Sequence, residues 1–169
     1  MNKVFGIGLC KTGTTSLCKA MTILGFKSKH YLSNVDKDIM SNDFVNDMPI
    51  QTRYKIYDQQ YPNSKFILTV RDKNSWLISC QKQFGFSPIK NRDSIIYKYR
   101  VEQMGMDTYN KEVFSKKYDE HLSTVLSYFY NRLQDILIIN ICNGEGWEKL
   151  CPFVNKSIPE IPFPYINKN

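Results

Sequence analysis

The stretch KVFGIGLCKTGTTS, residues 3–16, decides how the chain is read. Residues 3–8 are apolar with two glycines and predict a short buried strand. Residues 9–16 are polar around Gly13, after which Leu17, Ala20, Met21 and Leu24 recur at helical spacing up to a closing Gly25. Strand, glycine loop and helix in this order form a corner suited to anions, because free backbone N–H groups and the helix dipole converge on the loop. Gly13 allows backbone to approach a phosphate closely and Lys11 supplies a mobile charge. Thr12, Thr14, Thr15 and Ser16 offer backbone and hydroxyl donors. A nucleoside-triphosphatase loop needs its lysine directly after the second glycine; here Thr14 stands there and Lys11 precedes Gly13 by two positions. A plain turn with a helix cap is the structural alternative.

Working outward, residues 26–32 and 43–48 predict short strands, and KFILTV at 65–70 predicts a stronger one, entered through Tyr61-Pro-Asn-Ser64 and left at Arg71-Asp72. A helix is expected over 74–83 with Asn74 as its cap. Residues 84–110, polar and aromatic with Gly and Pro punctuation, read as a variable insertion or lid of loop and short helix. Leu122, Val125, Leu126, Phe129 and Leu133 place an amphipathic helix over 118–133. The continuous apolar run DILIINIC, 135–142, suits a strand covered on both faces. Asn143-Gly144 turns the chain into a helix over 145–151 ended by Pro152, and Pro159, Pro162 and Pro164 keep the tail extended. The alternation predicts a single domain over 1–169 with a three-layer α/β fold and a mainly parallel sheet.

At 169 residues, 42% of them hydrophobic, the chain is long enough to bury a core without disulfides or structural metal. Its five cysteines are odd in number and never spaced CxxC, which argues against a disulfide framework or a zinc site and favours a reducing compartment. The short apolar stretch before Lys11 predicts no signal peptide, and no run approaches the ~20 apolar residues of a membrane span, so a cytoplasmic protein is expected. A net charge of +7 favours anionic partners. The lysines are dispersed, as on a solvated basic surface, and no specific nucleic-acid tract is expected.

Lys11-Thr-Gly-Thr-Thr15 resembles the 5′-phosphosulfate loop of sulfotransferases, which use 3′-phosphoadenosine 5′-phosphosulfate (PAPS) and share the P-loop nucleotide-binding α/β core. Their second motif, a strand-ending arginine with a serine eight residues later on the next helix, is matched by Arg71 and Ser79 in FILTVRDKNSWLIS. The resemblance extends through Tyr118-Asp-Glu-His121, Gly144-Glu-Gly-Trp147 and Pro162-Phe-Pro-Tyr-Ile-Asn167, and so covers most of the chain as a compact branch of that family. Several cytosolic members carry tryptophan against adenine where this chain has Ser16, so adenine must be held differently.

This resemblance implies PAPS as donor without a metal. Lys11, Thr12, Gly13, Thr14, Thr15 and Ser16 would face its 5′-phosphosulfate, and Arg71 and Ser79 its 3′-phosphate. Lys11 would also neutralise the departing phosphate. Cytosolic members draw their base from a His-x-Pro segment; the matching segment here is Asp47-Met48-Pro49, which makes Asp47 the candidate base. A turn or cap role for Asp47 is the alternative, with His30 and His121 as other candidates for the proton. Trp147 is a candidate against adenine, and Lys156 and Lys168 against the 3′-phosphate. The acceptor implied is a hydroxyl or amine on a small molecule or glycan. Rival readings are a P-loop kinase acting with Mg²⁺ on a small molecule or nucleotide, and a non-catalytic binder of adenine nucleotides or polyanions.

Overall fold

A computed structural model describes residues 3–85 and 88–166. Five strands, β1 (Val4–Gly6), β2 (Ser28–His30), β3 (Phe44–Asn46), β4 (Lys65–Thr69) and β5 (Ile136–Ile139), form one all-parallel sheet in the order β2-β3-β1-β4-β5. The helices are α1 (Thr14–Ile23), α2 (Val35–Ser41), α3 (Ile50–Gln60), α4 (Lys73–Phe84), α5 (Ile95–Met104), α6 (Lys111–Phe129) and α7 (Trp147–Phe153). The described chain divides into two compact units. One runs to Arg71 and resumes at Arg132, holding the whole sheet; the other, Asp72–Asn131, holds α4, α5 and α6.

In the sheet unit, alternation along each strand sends neighbouring side chains to opposite faces. Val4, Phe44, Ile67 and Ile139 pack with Leu17, Ala20 and Met21 of α1 and Trp147, Leu150 and Cys151 of α7. On the other face Phe5 stacks on Phe66 and on Tyr57 of α3, each with ring centroids 5.5 Å apart. Helices therefore cover both faces, which is the three-layer arrangement expected. In the second unit Trp76 of α4 is fully buried against Tyr118 (4.8 Å) and Phe114 (6.3 Å) of α6, with Phe84 and Tyr109 edge-on to Phe114.

Several elements differ from expectation. Neither α2 nor α3 has a clean apolar period, and both were unanticipated. α4 is capped by Asp72, whose side chain accepts from Ser75 N at 2.9 Å, and Asn74 lies inside the helix. α6 begins at Lys111, where Asn110 accepts from Glu112 N and Val113 N, and it ends at Phe129; Leu126 and Leu133, expected on its buried face, are exposed. The run at 135–142 narrows to β5, which lies at the sheet edge with Ile138 exposed, because an apolar run alone does not distinguish a central strand from an edge strand. α7 includes Pro152 in its last turn instead of stopping before it. Among the described residues of 84–110, α5 is the helix that lies wholly within the segment, and α4 ends at its first residue, Phe84.

Candidate active site

The loop from Ile7 to Gly13 leaves β1 at the carboxyl edge of the sheet, where α/β folds place their ligands. At Gly8 a Cβ would stand 1.9 Å from Thr69 Oγ1, so only glycine lets the loop pass the end of β4. Lys11 is left-handed at φ 67° and Gly13 at φ 99°, the latter as the N-cap of α1. Leu17 N to Gly13 O, 2.9 Å, is the first helical bond. No side chain caps this helix and its first turn carries no acidic residue, so the amides of its first turn are left for an anion.

Three of the hydroxyls expected to follow phosphate oxygens meet protein groups instead: those of Thr12 and Ser16, and that of Thr15, which meets His30. Thr12 Oγ1 donates to Leu9 O at 2.6 Å; its one hydrogen is then spent, so Thr69 Oγ1, also at 2.6 Å, donates to it. That pair ties the loop to β4. Ser16 Oγ accepts from Ile166 N of the tail at 2.9 Å.

Arg71 follows β4, and its Nη1 donates to Lys11 O at 3.2 Å, so the arginine of the second motif rests on the loop of the first. Cys142, in the turn after β5, feels both cations: burial pushes its thiol up, while Arg71 and Lys11 pull it back down. Lys11, Arg71 and Cys142 thus share one neighbourhood.

Asp47 directly follows β3, is buried, and holds φ 80°. Its Oδ2 lies 3.9 Å from Nε2 of His30, at the end of β2. That Nε2 also meets Thr15 Oγ1 at 3.2 Å, while Nδ1 meets Asn46 Oδ1 at 3.0 Å; Asn46 Nδ2 in turn donates to Thr14 O at 2.8 Å. Tyr31, at φ 60°, lays its ring 4.1 Å from that of His30, and its phenol is pushed up by burial, by Asp47 and by Cys10. Lys11, Tyr31 and Asp47 are thus left-handed non-glycine residues following three adjacent strands. Such backbone costs roughly 1–2 kcal/mol per residue and concentrates at functional sites.

Of the other candidates, Ser79 is buried within α4 of the second unit and His121 is half-buried on α6; their assignments rest on the resemblance alone. Trp147 is occupied by the tail: Nε1 donates to Ile161 O at 2.8 Å and Phe163 meets it edge-on at 4.7 Å. Lys156 Nζ sits over the Phe26 ring at 5.2 Å, and Lys168 lies outside the described residues. Among the described residues no three His, Cys, Asp or Glu side chains are grouped to hold a metal, and no helix is long and apolar enough to cross a membrane. Sequence reasoning missed Asn46, Thr69, Tyr31 and Cys142. The hydrogen bonds and charge interactions that involve them in the site join separate strands and leave no local pattern.

Comparison with known proteins adds three findings. A family model described as a sulfotransferase domain matches residues 3–42 and 32–169. The Ava biosynthesis cluster protein M of Aspergillus versicolor is 24% identical over 216 residues, covering 97% of this chain and 80% of that protein. The crystal structure of a sulfotransferase from Alicyclobacillus acidocaldarius superposes with a TM-score of 0.53 at 14% identity, covering 96% of this chain and 84% of the other.

Proposed function

The chain belongs to the sulfotransferase domain family, and we propose that it moves a sulfuryl group from PAPS to a hydroxyl or amine by in-line displacement. The observation that carries this reading is the Arg71 Nη1 bond to Lys11 O, which joins two cationic motifs 60 residues apart at one uncapped helix start. Amides with no side-chain cap, a mobile lysine and a planar guanidinium fit a ligand bearing phosphate at two positions. The donor supplies an activated sulfur whose bond to the 5′-phosphate oxygen breaks as the acceptor oxygen or nitrogen attacks.

The chain's own tasks follow from charge. The backbone of Thr12 to Ser16 holds the 5′ end, and Lys11 neutralises the negative charge that grows on the departing phosphate. Arg71 holds the 3′-phosphate and selects for it. Asp47 takes the proton of the acceptor as the new bond to sulfur forms. Donor chemistry of this kind requires no metal. The relative named for a biosynthesis cluster supports a small-molecule acceptor.

Thermal-shift measurements test the reading. The desulfated donor, adenosine 3′,5′-bisphosphate, should stabilise the protein, by ~2.7 kcal/mol at 100 times its dissociation constant. ATP with Mg²⁺ should not do so to a comparable degree. In Arg71→Ala the preference for the bisphosphate over adenosine 5′-monophosphate should vanish. Stabilisation by ATP alone would point to a kinase, and an intact preference in the variant would remove Arg71 from the site.

A further inference from the structure

Hydrogen-bond accounting fixes the tautomer of His30. Asn46 directs Nδ2 to the Thr14 carbonyl, which leaves its Oδ1, a pure acceptor, facing His30 Nδ1; that nitrogen therefore carries a hydrogen. In the neutral ring Nε2 is then a bare lone pair, and Thr15 Oγ1 at 3.2 Å has to donate to it. The only hydroxyl hydrogen of Thr15 is thereby drawn away from the first turn of α1, and its lone pairs are what remain for an incoming anion. The Asp47 carboxylate, 3.9 Å from the same Nε2, faces a lone pair as well.

A proton on Nε2 reverses both relations. The imidazolium donates to Thr15 Oγ1, attracts Asp47, and frees the Thr15 hydrogen to donate to a phosphate oxygen. We propose that His30 is a positioning residue that converts Thr15 from acceptor-facing to donor-facing, so that binding of the phosphorylated donor at the start of α1 is linked to uptake of one proton on His30 Nε2. The inference deepens the donor-binding role proposed above and rests on it.

The titratable groups near the ring include Asp47 after β3, the Tyr31 phenol after β2, and the Cys10 thiol of the loop after β1, which acts on Tyr31. The Tyr31 phenol, pushed above its ordinary value, is neutral near pH 7. The Asp47 carboxylate, 3.9 Å from Nε2, attracts an imidazolium there. A bound anion adds to the same preference, which makes the linkage positive: lower pH tightens binding, and binding draws in a proton.

Calorimetric titration of the full chain with adenosine 3′,5′-bisphosphate, in two mildly alkaline buffers of different ionisation heat, measures the uptake directly. Wild-type protein should take up to one proton per ligand beyond the ligand's own contribution. Its dissociation constant should weaken by up to about tenfold per pH unit as pH rises, the limit for one linked proton. In His30→Gln the excess uptake should disappear. Because that variant also alters packing around the strand end, Thr15→Ser and Thr15→Val provide a second arm. The serine variant should keep the linkage in full, and in the valine variant, with His30 intact, the uptake should fall to the part that the anion's own charge imposes. Wild-type binding with no excess uptake, or uptake undiminished in Thr15→Val, overturns the role of His30 while leaving the donor reading standing. Failure of the wild type to bind the bisphosphate at any pH overturns both.

Discussion

Asp47 combines a left-handed backbone, near-complete burial and an imidazole 3.9 Å away, and its carbonyl accepts from Ile50 N at 2.8 Å where the chain turns into α3. Asp47→Asn keeps the shape and removes the carboxylate proposed as base. Affinity for adenosine 3′,5′-bisphosphate should stay within a few-fold of wild type while turnover of a sulfuryl acceptor falls by ~10²–10⁴-fold, the usual worth of a general base. Undiminished turnover would transfer the role to another group. At this scale the places of Lys11 and Gly13 in the loop between β1 and α1 were legible because they are written in a short local spacing after an apolar strand. The Thr12–Thr69 hydroxyl pair was not, since it joins residues 57 positions apart. Nothing in KTGTTS states that its first threonine serves as a fastener while its third faces a histidine.

Among the elements, those read correctly carry either strict period or strong punctuation: β1 and β4 are apolar runs, and α1 places Leu17, Ala20 and Met21 on one buried face. Hidden elements bury the wrong kind of residue. The inner face of α3 is built from Ile50, Gln51, Tyr54 and Tyr57, so a fully buried glutamine and two tyrosines take positions that a hydropathy pattern assigns to solvent. Entry to α7 depends on a comparable polar device. Glu145 accepts from Asn140 N at 2.6 Å and pairs with Lys149 Nζ at 2.6 Å. The backbone bond from Asn140, followed by the bond and charge of Lys149, holds its carboxyl below the usual glutamate range. A depressed folded value means that the contribution to stability is present above the unfolded value and is lost as pH falls through the folded one. Denaturation midpoints followed from neutral pH into the acid range should decline less steeply in Glu145→Gln than in wild type. Parallel curves would show that the contact is not linked to folding.

For the molecule as a whole, the decisive feature is the return of the tail to the loop with which the chain begins. Phe163 packs on Trp147 and lies against Gly146, where an added Cβ would come within 3.0 Å of the ring. Three residues later Ile166 N bonds Ser16 Oγ across 150 positions of sequence. The closure of the sheet unit therefore depends on one buried aromatic near its end, and Phe163→Ala should cost ~3–5 kcal/mol, as large-to-small core changes do. A urea titration followed by far-ultraviolet circular dichroism measures it. A loss under about 1 kcal/mol, the range of a surface substitution, would mean that the tail packs only loosely.

By itself the sequence determined the α/β class, the glycine loop between the first strand and the first helix, and the arginine that follows a strand. Each of these is written in contiguous residues, through apolar runs, glycine placement and motif spacing. Tertiary structure alone decided that this arginine rests on the loop, which of the loop's hydroxyls remain available, which nitrogen of His30 carries its hydrogen, and that Asp47 faces that ring. These are properties of hydrogen bonds between neighbouring parallel strands, and parallel pairing brings together residues whose separation in the chain carries no periodic signal.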